Sequence, residues 1–275
     1  MVQLVKTCFL IFIGQQLADA FGAKEHRKLR NLTCISTKTI RQDSEMLRDA
    51  KRPHLIFPGG GIFFYWQAGA VTFLRDNGYD LASTSSTGAS AGALTATLTT
   101  NDVDFYEATD LALRIAKDAG VWDRNRGLQG IWGPMIYDWL DEILPADAAA
   151  RSNKRGLSLL VTKIPSLGTE KICAFDSRKD LIECNMASVH LPWFLDDRHY
   201  IDGSFLASQR DYHSRRKSSS TLVFDYKEDP FHRSRSLIDA VEALSPKGIH
   251  ELLEDGKRFA KLLEEQGKLE LLSKK

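Results

Sequence analysis

Hydrophobic positions repeat at helical spacing in several segments of the chain. In residues 62–77, Phe63, Trp66 and Ala70 lie on one helical face, and Gly78 follows as a stop signal. The same periodicity predicts helices in five further segments: 91–98, 105–119, 134–143, 180–191 and 249–272. In the last of these, charges of both signs occupy the opposite face, which is typical of an amphipathic helix.

Short apolar and β-branched runs lie between these helical segments. The run His54–Phe57 stops at Pro58 and three glycines, as expected of a buried strand that enters a tight loop. Further strands are predicted in four segments: 83–87, 156–164, 198–201 and 220–226. The alternation of strands and helices indicates an α/β fold with a largely parallel sheet.

Composition places the chain among ordinary globular proteins. Its 275 residues fit one α/β domain, and its shares of 27% charged and 43% hydrophobic residues are typical of a protein with a buried core. A net charge of +1 argues against an electrostatic footprint for nucleic acid, so no nucleic-acid partner is expected.

The N-terminal region differs from the rest of the chain. Lys6 precedes an apolar run from Thr7 to Ile13, and Ala18-Asp19-Ala20 is typical of a signal cleavage site. Residues 1–20 are therefore interpreted as a signal peptide, with a short buried or interfacial helix as the alternative. Residues 21–48 have a transit-like composition, although a flexible basic linker would look the same. Together they predict entry into the secretory pathway, with the plastid of an alga with secondary plastids as one destination and a secreted or membrane-associated protein as the alternative.

Two of the four cysteines lie in this region, leaving Cys173 and Cys184. A hairpin would set these two opposite each other. However, Ser177-x-x-Asp180 is typical of a helix start and would place Cys184 inside a helix, so we expect free thiols. The sequence has no Cys and His cluster at metal-ligand spacing, and neither a metal nor an organic cofactor is expected.

The stretch from Gly88 to Gly92 lies where a predicted strand meets a predicted helix, with Ser90 at its centre. A serine at such a turn is accessible to substrate, and the two glycines permit the sharp bend of a nucleophile elbow. The following helix N-terminus favours the negative charge that develops during attack. Gly-x-Ser-x-Gly alone is a weak signal, because it occurs by chance in about one chain in ten of this length, and a small-residue turn is the alternative.

Two further segments complete a candidate site. Gly59, Gly60 and Gly61 follow a strand and can direct backbone N–H groups at one point, as an oxyanion hole requires. Asp202 follows a later strand and would accept the serine proton, with an ordinary Asp-Gly turn as the alternative. The ends of parallel strands meet at one edge of a sheet, so these groups are expected to lie beside Ser90. The glycine loop does not fit a dinucleotide fingerprint, and no Gly-Lys-Ser/Thr motif is present.

A serine-histidine-acid hydrolase is the alternative mechanism. His213, His232 and His250 all follow the acid in the chain order that such enzymes require. None of the three lies in a recognisable loop at a strand end. A dyad enzyme would survive substitution of each histidine, whereas a triad enzyme would not.

Three motifs occur in order: Phe-Pro-Gly-Gly-Gly from Phe57, Gly-Ala-Ser-Ala-Gly from Gly88 and Ile-Asp-Gly-Ser from Ile201. In this combination the chain resembles the patatin-like phospholipases, a lipolytic family with a serine-aspartate dyad. Residues 175–204 are similar to the eukaryotic branch that includes adipose triglyceride lipase-like proteins, and the whole resemblance covers about residues 51–208. It implies a three-layer α/β/α sandwich with a mostly parallel central sheet. It also implies Ser90 as nucleophile, Asp202 as base and Gly59, Gly60 and Gly61 as the oxyanion loop.

The sequence departs from this family at three places. Ser204 stands where the family usually has Gly or Ala, a change that we expect to preserve activity. Ile62 and Phe63 replace the basic residue that many members carry after the glycine loop, which removes that source of contacts to an anionic substrate. The usual Asn-Pro after the aspartate is replaced by the basic segment 207–217, which either contacts lipid head groups or forms a solvated loop.

The resemblance implies a lipid acyl hydrolase that cleaves phospholipids, galactolipids or acylglycerols through an acyl-enzyme. A lipid transacylase and a non-enzymatic lipid-surface scaffold with the same fold are the alternatives. The expected partners are a lipid ester and, transiently, a membrane or lipid-droplet surface; the sequence indicates no particular protein partner. Residues 49–235 are expected to form the catalytic domain, and residues 236–275 a C-terminal helical extension.

Overall fold

The structure is a computed structural model. It describes residues 52–125, 128, 130–163, 168–190, 200–204, 207–213, 220–235, 239 and 243–275. The described residues all belong to one compact unit. The expected signal peptide and transit-like segment lie outside the described residues, as do residues 214–217 of the basic segment after Asp202.

Six strands of the described chain form one mixed sheet. They are β1 His54–Phe57, β2 Ser85–Ala89, β3 Leu157–Lys163, β4 Gly168–Ile172, β5 Tyr200–Ile201 and β6 Thr221–Val223. The order across the sheet is β4-β3-β2-β1-β6, and β5 pairs with β3 off this path. β6, β1, β2 and β3 run parallel to one another, whereas β4 and β5 are antiparallel to β3. The expectation of a largely parallel sheet is confirmed.

Eight α-helices lie in the described residues. They are α1 Phe64–Asp76, α2 Ala91–Thr100, α3 Phe105–Asp118, α4 Trp132–Ile143, α5 Ala148–Arg155, α6 Arg178–Ser188, α7 Gln209–Tyr212 and α8 Pro246–Glu265. The side chains of Asp104, Ser177 and Ser245 cap α3, α6 and α8 by accepting hydrogen bonds from first-turn amides. Because Ser177 starts α6, Cys184 lies inside this helix, and both Cys173 and Cys184 are free thiols as expected.

The structure also corrects the extent of some elements. β4, α5 and α7 were not predicted, because their sequences are mostly polar or alanine-rich and carry no apolar period. The tail helix ends at Glu265 rather than continuing to Leu272. Gly267, just beyond its C-cap, has a φ of 71°, a left-handed conformation that ends helices.

Alternate strand residues face opposite sides of the sheet. Leu55 of β1 and Leu159 of β3 belong to the large core that packs against α1, α2 and other helices. Their neighbours Ile56 and Leu160 belong to a second cluster, on the other face, with Tyr212 of α7. Helices therefore cover both faces of the sheet, and the predicted α/β/α sandwich is confirmed.

The C-terminal helix α8 packs directly on α1. A Cβ atom built on Gly69 would lie 1.9 Å from the Leu253 carbonyl oxygen, and one on Gly256 would lie 1.8 Å from the Trp66 oxygen. The two helix backbones thus touch at these glycines. The ring centroids of Trp66 and Phe259 lie 4.9 Å apart. The apolar face of α8 is therefore part of the main core.

Candidate active site

Ser90 lies at the sharp turn between β2 and α2, with φ 55° and ψ −131°. An L-residue rarely adopts this conformation, so the turn is strained and must be held by its surroundings. The Ser90 amide donates a 2.9 Å hydrogen bond to Ser188 Oγ, whose hydroxyl in turn donates to the Leu160 carbonyl at 2.7 Å. The end of α6 and the middle of β3 thus support the turn.

Gly88 and Gly92 allow this turn to lie against the neighbouring strand. A Cβ atom built on Gly92 would lie 1.9 Å from the Phe57 carbonyl oxygen, and one on Gly88 would lie 2.1 Å from the Gly92 oxygen. Neither space admits even a methyl group. The two glycines therefore bring β1, β2 and the first turn of α2 into direct backbone contact.

The Ser90 side chain faces Asp202. Its hydroxyl donates to Asp202 Oδ2 at 2.5 Å, while Asp202 Oδ1 accepts from both the amide and the hydroxyl of Ser204, at 2.8 and 2.6 Å. Asp202 is buried, and this burial raises the pKa of its carboxyl group, against the effect of the three donors. The arrangement is a serine hydroxyl bonded to a buried, hydrogen-bonded carboxylate.

The backbone around Asp202 is fixed on every side. The Asp202 amide donates to the His190 carbonyl at 2.7 Å, and its carbonyl accepts from the Thr162 hydroxyl at 3.1 Å. The Gly203 amide donates to the Ser188 carbonyl at 2.9 Å, and a Cβ atom on Gly203 would lie 1.8 Å from the Leu160 oxygen. This Asp-Gly pair is therefore packed against β3 and α6 rather than forming an isolated surface turn.

The direction of the strand before Asp202 differs from the expectation. The prediction placed Asp202 at the end of a parallel strand, which is wrong, because β5 is antiparallel to β3 and pairs Thr162 with Ile201. β2 pairs with β3 only as far as Leu160. Beyond that residue, β5 takes the place of β2 beside β3 and runs in the opposite direction. β5 therefore begins beyond the C-terminal end of β2 and runs back toward it. Asp202 follows the end of β5, which is why it still reaches Ser90.

The glycine loop passes beside the serine. A Cβ atom built on Gly59 would lie 3.0 Å from Ser90 Cβ and 2.4 Å from Ser204 Cβ. Burial raises the pKa of the Tyr212 side chain, and the Gly59 backbone opposes this shift. Within the described residues, the amides of Gly60 and Gly61 donate to no protein acceptor. These two N–H groups therefore keep their hydrogen-bonding capacity within the described part of the chain.

Gln67 supports this loop, although it belongs to none of the sequence motifs of the site. Its amide nitrogen donates to the Pro58 carbonyl at 2.8 Å and to the Phe224 carbonyl at 3.2 Å, and its oxygen accepts from the Thr95 hydroxyl at 2.8 Å. The side chain is buried, so these bonds are shielded from water. A glutamine on an otherwise apolar helix face was the available signal. Ser188, at the end of α6, gave no comparable signal.

The structure does not pair Ser90 with a histidine among the described residues. His232 bonds Asp255 at 2.9 Å, and its ring lies at the edge of the Phe63 ring. His250 is exposed on α8. His190 supplies its carbonyl to the Asp202 amide, and its side chain lowers the pKa of Asp202 electrostatically. Among the described residues, the Ser90 hydroxyl is thus bonded to a carboxylate and not to a histidine.

Two further features concern the described part of the chain. No group of three or more His, Cys, Asp and Glu side chains in this part of the chain has the geometry to hold a metal ion. In the same part, no helix combines the length and apolar character needed to cross a membrane.

Two curated proteins are similar to part of this chain. The human patatin-like phospholipase domain-containing protein 2 is 29% identical over 168 residues, which are 54% of this chain and 32% of that protein. The human omega-hydroxyceramide transacylase is 28% identical over 177 residues, 58% of this chain and 32% of that protein. The chain thus spans about a third of the length of these curated relatives.

Among solved structures, VipD from Legionella pneumophila aligns with 88% of this chain and 71% of its own, at 13% identity and a TM-score of 0.41. The family model of the patatin-like phospholipases matches residues 55–209. That match covers more than half of the chain and includes β1 from its second residue, the glycine loop, Ser90 and Asp202. The chain therefore belongs to the patatin-like phospholipase family.

Proposed function

We propose that this protein is a lipid acyl hydrolase that cleaves carboxylic esters with Ser90 as nucleophile and Asp202 as base. The observation that carries the proposal is the 2.5 Å hydrogen bond from the Ser90 hydroxyl to a buried carboxylate at a strained strand-to-helix turn. A strained backbone and a buried, desolvated carboxylate are costly for a fold, and both are expected where a nucleophile must be activated.

The geometry supports a two-step reaction. Ser90 Oγ attacks the ester carbonyl carbon as its proton passes to Asp202 Oδ2, and the carbonyl oxygen becomes an oxyanion. The amides of the glycine loop, Gly59, Gly60 and Gly61, would bind that oxyanion; each such donor contributes about 100- to 1,000-fold in rate. Collapse of the intermediate breaks the C–O bond to the alcohol, which takes the proton from Asp202. Water then gives a proton to Asp202 and attacks the acyl carbonyl carbon. Collapse of this second intermediate breaks the bond to Ser90 Oγ, which takes the proton back from Asp202 as the carboxylic acid leaves.

The proposed substrates are lipid esters: phospholipids, galactolipids or acylglycerols. Membership of the family supports this class. The mechanism requires no cofactor. We further propose transient contact with a membrane or lipid-droplet surface, and entry into the secretory pathway with a plastid as one destination, from the composition of residues 1–48.

Lipid transacylation is the second candidate, because one relative is named a transacylase. The acyl-enzyme would be the same, and a lipid hydroxyl would replace water as the acceptor. An assay that offers a lipid alcohol and quantifies both free fatty acid and acylated acceptor distinguishes the two outcomes.

The first experiment compares the wild-type chain, Ser90→Ala and the matched control Ser234→Ala, which removes an exposed hydroxyl. Fatty-acid release is measured from mixed micelles of phospholipid, galactolipid or triacylglycerol. Release by the wild type and Ser234→Ala, but not by Ser90→Ala, would support the hydrolase and identify its lipid class. Lipid binding without release by any folded variant would contradict it and favour the scaffold.

A further inference from the structure

We infer that the Ser204 hydroxyl is a positioning group that orients the Asp202 carboxylate toward Ser90 and favours its anionic form. This inference rests on the proposed function, and it assigns a role to the residue at which the sequence departs from the usual Gly or Ala of the family. It concerns a side chain that would touch neither the substrate nor the reacting atoms.

The two oxygens of Asp202 have different partners. Oδ2 accepts only the Ser90 hydroxyl among the described contacts, at 2.5 Å, whereas Oδ1 accepts the Ser204 amide at 2.8 Å and the Ser204 hydroxyl at 2.6 Å. Two donors on Oδ1 resist rotation of the carboxylate about its Cβ–Cγ bond. The oxygen opposite them is thereby held toward the nucleophile, which is what orientation of a general base requires.

Packing leaves the Ser204 hydroxyl little freedom to turn away. Ser204 is half-buried between Asp202 and the glycine loop. A Cβ atom built on Gly59 would lie 2.4 Å from Ser204 Cβ and 2.5 Å from Ser204 Oγ, so the serine side chain fills the space that the missing Gly59 side chain leaves. The contact with the glycine loop therefore confines the hydroxyl on the side of Oδ1.

The hydroxyl matters because Asp202 is buried. A desolvated carboxyl group tends to bind a proton, and a protonated Asp202 would not accept the proton of Ser90. Burial raises the pKa of Asp202, whereas the hydrogen bonds from the Ser204 side chain, the Ser90 side chain and the Ser204 amide lower it. The described ionisable groups that face this carboxylate from neighbouring elements are His190, which follows α6, and Tyr212 of α7. Substitution of Ser204 leaves both in place.

The role of Ser204 in the reaction is passive. During acylation the proton of Ser90 moves to Oδ2, while the Ser204 proton stays on its own oxygen and remains bonded to Oδ1. When the intermediate collapses, the proton on Oδ2 passes to the departing alcohol. The Ser204 hydroxyl thus favours the anionic form of Asp202 before Ser90 attacks and after the alcohol departs. Its own bonds show no net change.

The test compares the wild type with Ser204→Ala, which removes the hydroxyl, keeps the amide donor and is smaller than serine. The matched control is Ser188→Ala, which removes the hydroxyl that accepts from the Ser90 amide and does not bond the carboxylate. The second-order rate of Ser90 labelling by a fluorophosphonate, and kcat/KM for a short-chain p-nitrophenyl ester, are measured from pH 4 to pH 9. Both readouts report on Ser90 without knowledge of the natural lipid.

We expect the acidic limb of both profiles to move up by about one pH unit in Ser204→Ala, because one charge-assisted hydrogen bond has been lost. At pH values below the limb, the rate of Ser204→Ala should be about tenfold lower than that of the wild type. Ser188→Ala should instead lower the rate at every pH and leave the position of the limb unchanged. A Ser204→Ala profile with an unchanged limb would overturn the inference. So would a limb that disappears in His190→Gln, because the titration would then belong to His190.

A direct titration keeps the inference testable if neither readout detects wild-type activity. In the Ser90→Ala background, the 13C resonance of the Asp202 carboxyl group is followed with pH, with and without Ser204→Ala. A midpoint that rises when Ser204 is replaced supports the inference about Ser204, and an unchanged midpoint refutes it. Inactivity of the wild type in the lipid, ester and labelling assays would instead count against the proposed function.

Discussion

The Ser90 hydroxyl bonds Asp202 Oδ2 at 2.5 Å, although 112 positions separate the two residues in the chain. The contact forms because the end of β5 returns to the edge of the sheet at which β2 ends. The same edge brings the Gly59 backbone against the Ser90 side chain. One sheet edge thus holds the nucleophile, the base and the glycine loop, and each can be tested separately.

Replacing Asp202 with asparagine should abolish activity and stabilise the fold at neutral pH. Loss of the general base is expected to lower the labelling rate of Ser90 by about 1,000-fold or more. Burial raises the pKa of Asp202 above its ordinary value of 3.8, so ionisation costs stability once the pH exceeds that value, and the cost grows until the folded-state pKa is passed. Neutral asparagine avoids this cost.

Urea unfolding of wild type and Asp202→Asn at several pH values checks this second expectation. The variant should be the more stable at pH 7, and the difference should shrink as the pH is lowered toward 3. Asp118→Asn, a substitution at the exposed end of α3, is the control and should show no comparable gain. A stability difference that does not change with pH would argue against a buried, titrating Asp202.

The strain at Ser90 predicts an unusual order of stability between two variants. Glycine normally destabilises a position relative to alanine by about 0.5–1 kcal/mol. At φ 55° and ψ −131° an alanine keeps the strain, whereas a glycine relieves about 1–3 kcal/mol of it. Ser90→Gly should therefore unfold at a higher urea concentration than Ser90→Ala. At exposed Ser234, whose φ is not positive, the usual order should hold.

Gly92 should not tolerate a methyl group. In Gly92→Ala the new Cβ would lie 1.9 Å from the Phe57 carbonyl oxygen, so either β1 or the start of α2 must move. We expect a loss of about 3 kcal/mol or more, measured by chemical denaturation. Gly248→Ala is the matched control in the first turn of α8, where the nearest atom is 3.5 Å away. There the change should be neutral or stabilise by up to about 1 kcal/mol, and equal losses at the two sites would contradict the geometry.

Gln67 is expected to affect reactivity as well as stability, because it holds the start of the glycine loop. Gln67→Met keeps the shape of the side chain but leaves the Pro58 and Phe224 carbonyls without this donor, at a cost of about 1–3 kcal/mol in stability. The rate of fluorophosphonate labelling of Ser90 should also fall. Thr72→Val on the same helix removes a buried hydroxyl that bonds only within α1. It should leave the labelling rate unchanged, and an equal fall in both variants would assign the effect of Gln67 to general destabilisation.

Most helices could be located from the sequence because their signals are local. The apolar period of residues 62–77 and 105–119, and the Ser177 cap, are properties of neighbouring residues, and α1, α3 and α6 form there. The mostly polar β4 and the four-residue α7 had no such signal. In the structure, β4 pairs with β3 at the edge of the sheet, and Tyr212 of α7 packs on its second face.

The candidate site divides in the same way. The sequence by itself determined that Ser90 lies in an elbow, because Gly88 and Gly92 are the residues that a tight strand-to-helix turn demands, and such a turn involves only neighbouring backbone. Only the tertiary structure decided the antiparallel direction of β5, the support of Ser90 by Ser188 and that of Pro58 by Gln67. These depend on hydrogen bonds between distant segments, and a bond of less than 3 Å forms only when the packing of whole helices and strands has brought its two ends together.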